Sequence, residues 1–218
     1  MQSLSRLALA AALSVATLSA QAALVARSGG MVYDTVQNIT WLADMNYAKT
    51  SGFDADGRMD WTIANNWAND LVYGGFSDWR LPTTNTTASS NCNQNFNPGG
   101  GFPDQYLGFG CTGSEMGHIF YNEFGAIAGQ SILAGSNAAN LALFTNVQSN
   151  AYWSGTEYAP VPDQAWIFGT ANGYQGIGGK SSALYAVAVR PGDVAASVPE
   201  PQTLATGAAG VGRDDGGA

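Results

Sequence analysis

Short β-prone runs lie towards both ends of this chain, and only two segments between them have helical spacing. Gly30–Asp34 and Ile39–Ala43 flank a short polar turn, which predicts an opening hairpin. Four more β-prone runs follow in the C-terminal third: Ala151–Ser154, Ala165–Phe168, Gly173–Ile177 and Leu184–Val189. Because strands and helices do not alternate, we expect an α+β domain with long loops, not a βαβ sheet.

The two helical segments have recognisable ends. The first begins at Asp60, a residue type that caps helices, and we expect it to stop at Gly74-Gly75. The second begins near Ser114, with Glu115 in its first turn. Between them, residues 83–112 are rich in Asn, Thr, Ser, Gly and Pro, which predicts an insertion loop.

The N-terminus has the features of a secretion signal. Arg6 precedes an apolar run, Leu7–Leu18, and Ala20-Gln21-Ala22 has the small-x-small pattern of a cleavage site. A retained membrane anchor is the alternative, but it needs about 20 apolar residues, more than this run supplies. We therefore expect an exported protein with one domain over residues 23–193 and a tail over 194–218.

Charge and cysteine content limit the possible partners. Without Arg6, seven basic residues face sixteen acidic ones, so the net charge is −9 and nucleic acid is not an expected partner. A heparin-like polyanion is disfavoured too, unless a local patch departs from the net charge. Cys92 and Cys111 are predicted to form a disulfide, which is the default in an oxidising compartment; a reactive or metal-bound pair is the alternative.

Five motifs in order resemble the Lcl C-terminal domain family. They span residues 30 to 192: Val32-Tyr33-Asp34 with Thr40-Trp41-Leu42, Gly57–Trp61, Ser77–Thr83, Tyr152–Glu157 and Ala188–Gly192. The resemblance implies a C-type-lectin-like fold related to formylglycine-generating enzymes, with paired terminal strands and a role as a surface adhesin or glycan-binding module. Catalysis of the formylglycine type is excluded, because it uses a C-terminal cysteine pair and no cysteine follows Cys111.

The C-terminal tail resembles the start of a PEP-CTERM signal, which exosortases process. The motif comprises Val198, Pro199, Glu200 and Pro201, but no apolar helix or arginine cluster follows it. Two explanations stay open: the tail has diverged, or a frameshift after about Ala205 replaced the helix. Either way, this chain is expected to lack a stable membrane anchor and to be released.

Three acidic residues suggest a possible calcium loop. Asp54, Asp56 and Asp60 surround Gly57 in a pattern that could bring carboxylates together, although it lacks the distal Glu of an EF-hand. The simpler interpretation is a solvated turn in which Asp60 caps the helix.

The single histidine and two arginines have structural interpretations. His118 could act with Glu115 or Glu123, but these positions make a poor pair on a regular helix, which favours a packing role. Arg80 and Arg190 are expected to pair internally with carboxylates such as Asp78 or Asp34, not to bind a ligand.

Aromatic and polar residues between the C-terminal strands are the predicted ligand-binding face. Loops and strand edges on a rigid scaffold commonly bind ligands, and aromatic rings beside amides suit sugars. The predicted residues are Tyr158, Asp163, Gln164, Tyr174, Gln175 and Lys180. The expected function is a non-enzymatic module that binds a glycan or surface protein; the alternative is a structural matrix protein with no discrete ligand.

Overall fold

The first three strands of the protein and its last strand form one antiparallel sheet. The computed structural model describes residues 23–194, and the order in this sheet is β1-β2-β3-β11. The strands are β1 (Leu24–Arg27), β2 (Met31–Asp34), β3 (Ile39–Leu42) and β11 (Val189–Pro191). The predicted opening hairpin is confirmed as β2–β3, with Asp34 Oδ1 accepting the Val36 and Gln37 N–H groups in its turn. Strand β1 was not predicted.

The second sheet holds the C-terminal strands in the order β4-β10-β7-β8-β9. Its strands are β4 (Arg58–Met59), β7 (Ala151–Glu157), β8 (Gln164–Gly169), β9 (Tyr174–Gly179) and β10 (Leu184–Tyr185). Strand β10 is parallel to β7 and antiparallel to β4, so it brings residue 58 close to residue 185. A separate two-stranded ribbon, β5 (Gln94–Phe96) and β6 (Gln105–Leu107), lies within the insertion loop.

The described part of the chain also contains four short α-helices. They are α1 (Tyr47–Thr50), α2 (Trp61–Asn69), α3 (Glu115–His118) and α4 (Ala138–Leu141). Asp60 Oδ1 accepts the Ile63 N–H at 2.8 Å, so the predicted N-cap of α2 is confirmed. The helix ends at Asn69, before the glycine pair, because Tyr73 and Phe76 close a separate turn around Gly74-Gly75 through two backbone hydrogen bonds.

One π-helix and two 3₁₀ turns also occur. The π-helix, Ile119–Glu123, continues directly from α3. The 3₁₀ turns are Ala88–Ser90 and Ile132–Ala134.

The second sheet separates two apolar cores. Side chains alternate between the faces of a strand, so adjacent residues of β7 enter different cores. Tyr152 packs with Phe120 and Phe168, while Trp153 packs with Trp67 and joins the other core, where its indole N–H donates to the Met59 carbonyl at 2.8 Å. The sheet therefore serves as a rigid central layer of the α+β domain.

Residues 1–22 and 195–218 lie outside the described part of the chain. The predicted signal peptide and the Val198–Pro201 motif both fall there and stay predictions. Within residues 23–194, no helix is long and apolar enough to span a bilayer.

Candidate functional site

The structure divides the predicted ligand-binding face. Asp163, Gln164 and Lys180 lie together at the β8–β9 edge, where the Lys180 N–H donates to the Asp163 carbonyl at 2.8 Å. The Lys180 ammonium, however, pairs with Glu157 and sits 4.1 Å from the Trp61 ring centre. Most of this edge is therefore occupied by internal contacts.

Two of the other predicted ligand residues are buried. Tyr158 is 5% exposed and packs edge-on against Trp166, and Gln175 is fully buried. The Gln175 amide donates to the carbonyls of Asn85 and Tyr106, at 3.2 and 3.1 Å, and so holds the insertion loop against β9. Tyr158 does follow β7 in a loop and Gln175 does lie on the edge strand β9, as predicted, but packing covers both side chains and leaves neither available to a ligand.

Tyr174 lies at the opposite end of β9 from Lys180. Its ring contacts Phe109 edge-on, with 5.3 Å between ring centres, and borders an open groove of about 390 Å³. Asn150, Asn172 and Ile167 line the same groove. The six predicted residues thus do not form one binding face.

The insertion loop is closed by a disulfide between Cys92 and Cys111, as predicted. The Gln175 amide also lies 3.3 Å from the Cys92 sulfur. The bridge and this amide together fix the loop to the second sheet.

The three aspartates of the predicted calcium loop do not converge. Within residues 23–194, no group of three His, Cys, Asp or Glu side chains could hold a metal ion. Asp54 Oδ1 instead accepts the backbone N–H groups of Asp56, Gly57 and Arg58, and Asp60 caps α2. The carboxylates are used in a turn and a helix cap, which matches the alternative interpretation.

Both arginines form internal ion pairs. Arg190 binds Asp78 through two hydrogen bonds of 2.8 and 3.0 Å, as predicted, and this contact lowers the pKa of Asp78. Arg80 binds Glu115 in the same two-point manner, at 2.8 and 2.6 Å, so its partner is neither of the suggested aspartates. The two pairs connect segment 78–80 to β11 and to α3.

His118 lies between two buried carboxylates, and Asp34, His118 and Glu123 form what we call the acid–histidine cluster. His118 Nε2 is 3.1 Å from Glu123 Oε1 and 3.5 Å from Asp34 Oδ2, although neither approach has the alignment of a hydrogen bond. The three residues are 7% exposed or less. The predicted packing role of His118 agrees with its burial, but the expectation that helix spacing keeps Glu123 away from His118 was wrong.

The reason is the π-helix that follows α3. In an α-helix with 3.6 residues per turn, residue i+5 points well away from residue i. Here the Phe124 N–H bonds to the Ile119 carbonyl, five residues back, at 2.9 Å. The wider turn brings Glu123 onto the same side as His118, and π-helical turns often occur at functional sites.

Burial controls the ionisation of the cluster. Removal from water is the main reason that the pKa values of Asp34 and Glu123 are both raised, and the charge of His118 opposes the shift in each case. The Asn140 amide donates to both the carbonyl and the carboxylate of Glu123, at 3.0 and 3.1 Å. The cluster is closed to a ligand and fully enclosed by its own fold.

A second polar region opens to solvent, and we call it the polar pocket. Its volume is about 360 Å³. Its lining residues come from four separate segments: Asn46, Lys49, Thr50, Asp56, Asn146, Gln148 and Tyr185. None of them was among the predicted ligand-binding residues, although Asp56 was one of the predicted calcium ligands.

The walls of the polar pocket are held by specific hydrogen bonds. Asp44 joins two of them, since its carboxylate accepts the Asn46 N–H at 2.9 Å and the Asn146 amide at 3.0 Å. Asn146 has a φ of 52°, in the left-handed region that only a few non-glycine residues adopt. Gly57 has a φ of 83°, and a Cβ there would lie 1.8 Å from Asn46 Oδ1, so this wall requires glycine.

Several groups in the polar pocket have unused hydrogen-bonding capacity. Among the described residues, no donor reaches the side-chain carbonyl oxygens of Asn146, which is exposed, and Gln148, which is half-buried. The Asn46 oxygen also lacks a donor, but it is buried against Gly57 and belongs to the pocket wall. The pocket thus combines free acceptors, the Lys49 ammonium and the Tyr185 ring.

Comparison with protein families matches residues 30–190 to the Lcl C-terminal domain. The chain belongs to this family. Comparisons with curated proteins and with solved structures give no match. The Lcl C-terminal domain therefore accounts for most of the chain and nearly all of the described residues.

Proposed function

We propose that this Lcl C-terminal domain protein is an exported, non-enzymatic module that binds a carbohydrate in the polar pocket. The observation that carries the proposal is the pair of accessible amide oxygens, on Asn146 and Gln148, in a pocket that Tyr185 also lines. Sugars present several hydroxyl donors around an apolar ring face, so they need this mixture of acceptors and aromatic surface.

The position of the histidine supports binding over catalysis. His118, the only histidine, is buried with Asp34 and Glu123 and lines none of the polar pocket, where Lys49 and Asp56 are the charged side chains. General acid–base catalysis needs a titratable group within hydrogen-bonding reach of the substrate. A binding role requires no such group.

The disulfide supports export. Bridges of this kind persist in oxidising compartments and are rare in the cytoplasm. Mass spectrometry of the protein recovered from its native host should find a new N-terminus after Ala22. A cell-associated protein that retains residues 1–22 would contradict export.

A glycan array with the purified chain, followed by calorimetry, tests the carbohydrate proposal. Asn146→Ala combined with Gln148→Ala should weaken binding by about tenfold or more, because two acceptors are lost. Asn122→Ala combined with Gln130→Ala is the matched control, since both are exposed amides outside the pocket. Equal losses in the two double variants would reject this site.

The competing function is a structural component of an extracellular matrix with no discrete ligand. The enclosed apolar cores and internally paired charges fit either function. A folded chain that binds no glycan on the array would favour the structural role.

A further inference from the structure

Most of the positive charges of the described residues are neutralised within the fold. Residues 23–194 contain six Lys and Arg side chains, and four of them form ion pairs. The pairs are Arg27–Asp193, Arg80–Glu115, Lys180–Glu157 and Arg190–Asp78. Among the described residues, Lys49 and Arg58 alone have no carboxylate partner within 4.0 Å.

One of these cations lines the polar pocket, and the other contacts a residue of its wall. Lys49 lines it directly. Arg58 pairs with Tyr185 across β4 and β10, and its guanidinium carbon lies 6.0 Å from the centre of the Tyr185 ring. The Arg58 Nε donates to the Ala183 carbonyl at 3.1 Å, which holds the guanidinium beside this ring. In a chain with a net charge of −8, the two cations without a carboxylate partner are therefore a pocket residue and a neighbour of the pocket wall.

The nearby carboxylates are largely engaged elsewhere. Asp44 uses one oxygen for the Asn46 N–H and the other for the Asn146 amide. Asp54 directs one oxygen at three backbone N–H groups of its own turn. Asp56 is the one carboxylate in the pocket wall, and one of its oxygens accepts the Arg58 N–H at 2.9 Å.

We propose that the polar pocket selects a carboxylated sugar, a uronic acid unit of a glycan; this inference rests on the proposed carbohydrate function. The ligand carboxylate faces Lys49 and Arg58, while its ring hydroxyls donate to the amide oxygens of the pocket. A carboxyl group at the end of a sugar leaves the ring hydroxyls free. Sulfate esters replace hydroxyls and so remove the donors that these amides require.

The overall charge favours a ligand of low charge density. A strongly acidic protein repels a dense polyanion at distances up to the Debye length, about 10 Å at 0.1 M salt. Two unpaired cations match a single carboxylate better than a run of sulfates. The carboxylated class is therefore preferred to the sulfated one.

Calorimetry of the full chain with matched ligands tests this selectivity. The ligands are trimers of galacturonate, glucuronate and mannuronate, each with its neutral methyl ester, and a sulfated trimer. We expect at least one acid form to bind about tenfold tighter than its ester, with a difference that shrinks as salt screens the charges.

Single variants separate ligand recognition from general charge effects. Lys49→Ala or Arg58→Ala should reduce acid binding towards the ester level and should weaken acid binding by a larger factor than ester binding. Asp56→Asn should strengthen acid binding by a few fold, because it removes a repelling charge and keeps the acceptor for the Arg58 N–H. Arg27→Ala, which removes the same charge from an existing ion pair, is the control and should change neither.

The outcomes also distinguish the two proposals. Equal binding of acids and esters, tighter binding of the sulfated trimer, or weaker acid binding by Asp56→Asn would overturn the uronate proposal. Neutral glycans bound without any uronate would overturn it too, yet leave the carbohydrate function standing. If no neutral or charged glycan binds, the carbohydrate function itself fails.

Discussion

The polar pocket and the acid–histidine cluster both concentrate polar side chains, but they use them in opposite ways. Asp34, His118 and Glu123 are buried and face one another. The polar pocket instead keeps the Lys49 ammonium and several amide oxygens free of protein partners within the described residues. The comparison shows that the most unusual ionisable groups of this fold are internal, while the groups available to a ligand are ordinary surface residues.

The largest expected loss of stability comes from a change in the acid–histidine cluster. His118→Ala removes the buried ring that lies between two buried carboxylates, and truncating a buried ring costs about 3–5 kcal/mol in the free energy of unfolding. Arg27→Ala breaks an exposed ion pair and should cost about 1 kcal/mol or less. Chemical denaturation measures both; equal costs would show that the cluster is not structural.

Removing the disulfide should lower stability without changing either the polar pocket or the acid–histidine cluster. Replacing Cys92 and Cys111 together by alanine should cost about 3 kcal/mol, the chain-entropy value for a loop of this length. The separation of the two cysteines is 19 residues. Denaturation should show this loss with an unchanged dependence on pH, and a changed dependence would mean that the loop communicates with the cluster.

A smaller effect should appear in the pH dependence of stability. The pKa values of Asp34 and Glu123 are raised above 3.8 and 4.5, so the folded state binds protons more tightly than the unfolded state does. Their stabilising contribution is therefore complete below those ordinary values and is lost as pH rises through the raised ones. A tenfold difference in proton affinity between the folded and unfolded states corresponds to about 1.4 kcal/mol in the free energy of unfolding.

Asp34→Asn combined with Glu123→Gln removes both titrations. Denaturation from about pH 4 to about pH 8 should show the parent chain losing stability relative to this double variant as pH rises. The opposite slope would contradict the raised pKa values. Asp70→Asn serves as a control, because this exposed residue lies outside the acid–histidine cluster.

The smallest expected change in stability comes from variants of the polar pocket. Lys49→Ala and Gln148→Ala should change the free energy of unfolding by about 0.5 kcal/mol or less, because their side chains make few contacts within the fold. Both should nevertheless weaken ligand binding. Large losses of stability measured by denaturation would mean that the polar pocket, like the cluster, is structural.

Local signals in the sequence predicted much of the fold. The β2–β3 hairpin, the Asp60 cap of α2, the disulfide and the Arg190–Asp78 pair all follow from short-range patterns or residue types. The π-helix was missed because its wider turn depends on the packing of residues 119–124 and not on a motif.

The polar pocket could not be predicted for a related reason. Its residues lie between positions 46 and 185, and only the parallel pairing of β10 with β7 and the backbone bonds of Thr145 to Ala43 and Met45 bring them together. The burial of Gln175 was missed for the same reason, since its position in a strand does not reveal that the insertion loop covers it. Nothing in the sequence indicated that Lys49 and Arg58 would lack a carboxylate partner, since Asp54 and Asp56 lie between them.

The most direct test of ligand binding in the polar pocket is an amide spectrum, recorded by nuclear magnetic resonance during titration with the tightest-binding trimer. The side-chain amide signals of Asn46, Asn146 and Gln148 report on the polar pocket itself. We expect these signals to shift together and saturate, while the side-chain amide signals of Gln164 and Gln175 stay in place. Saturable shifts at Gln164, with none at the residues of the polar pocket, would contradict binding in the polar pocket.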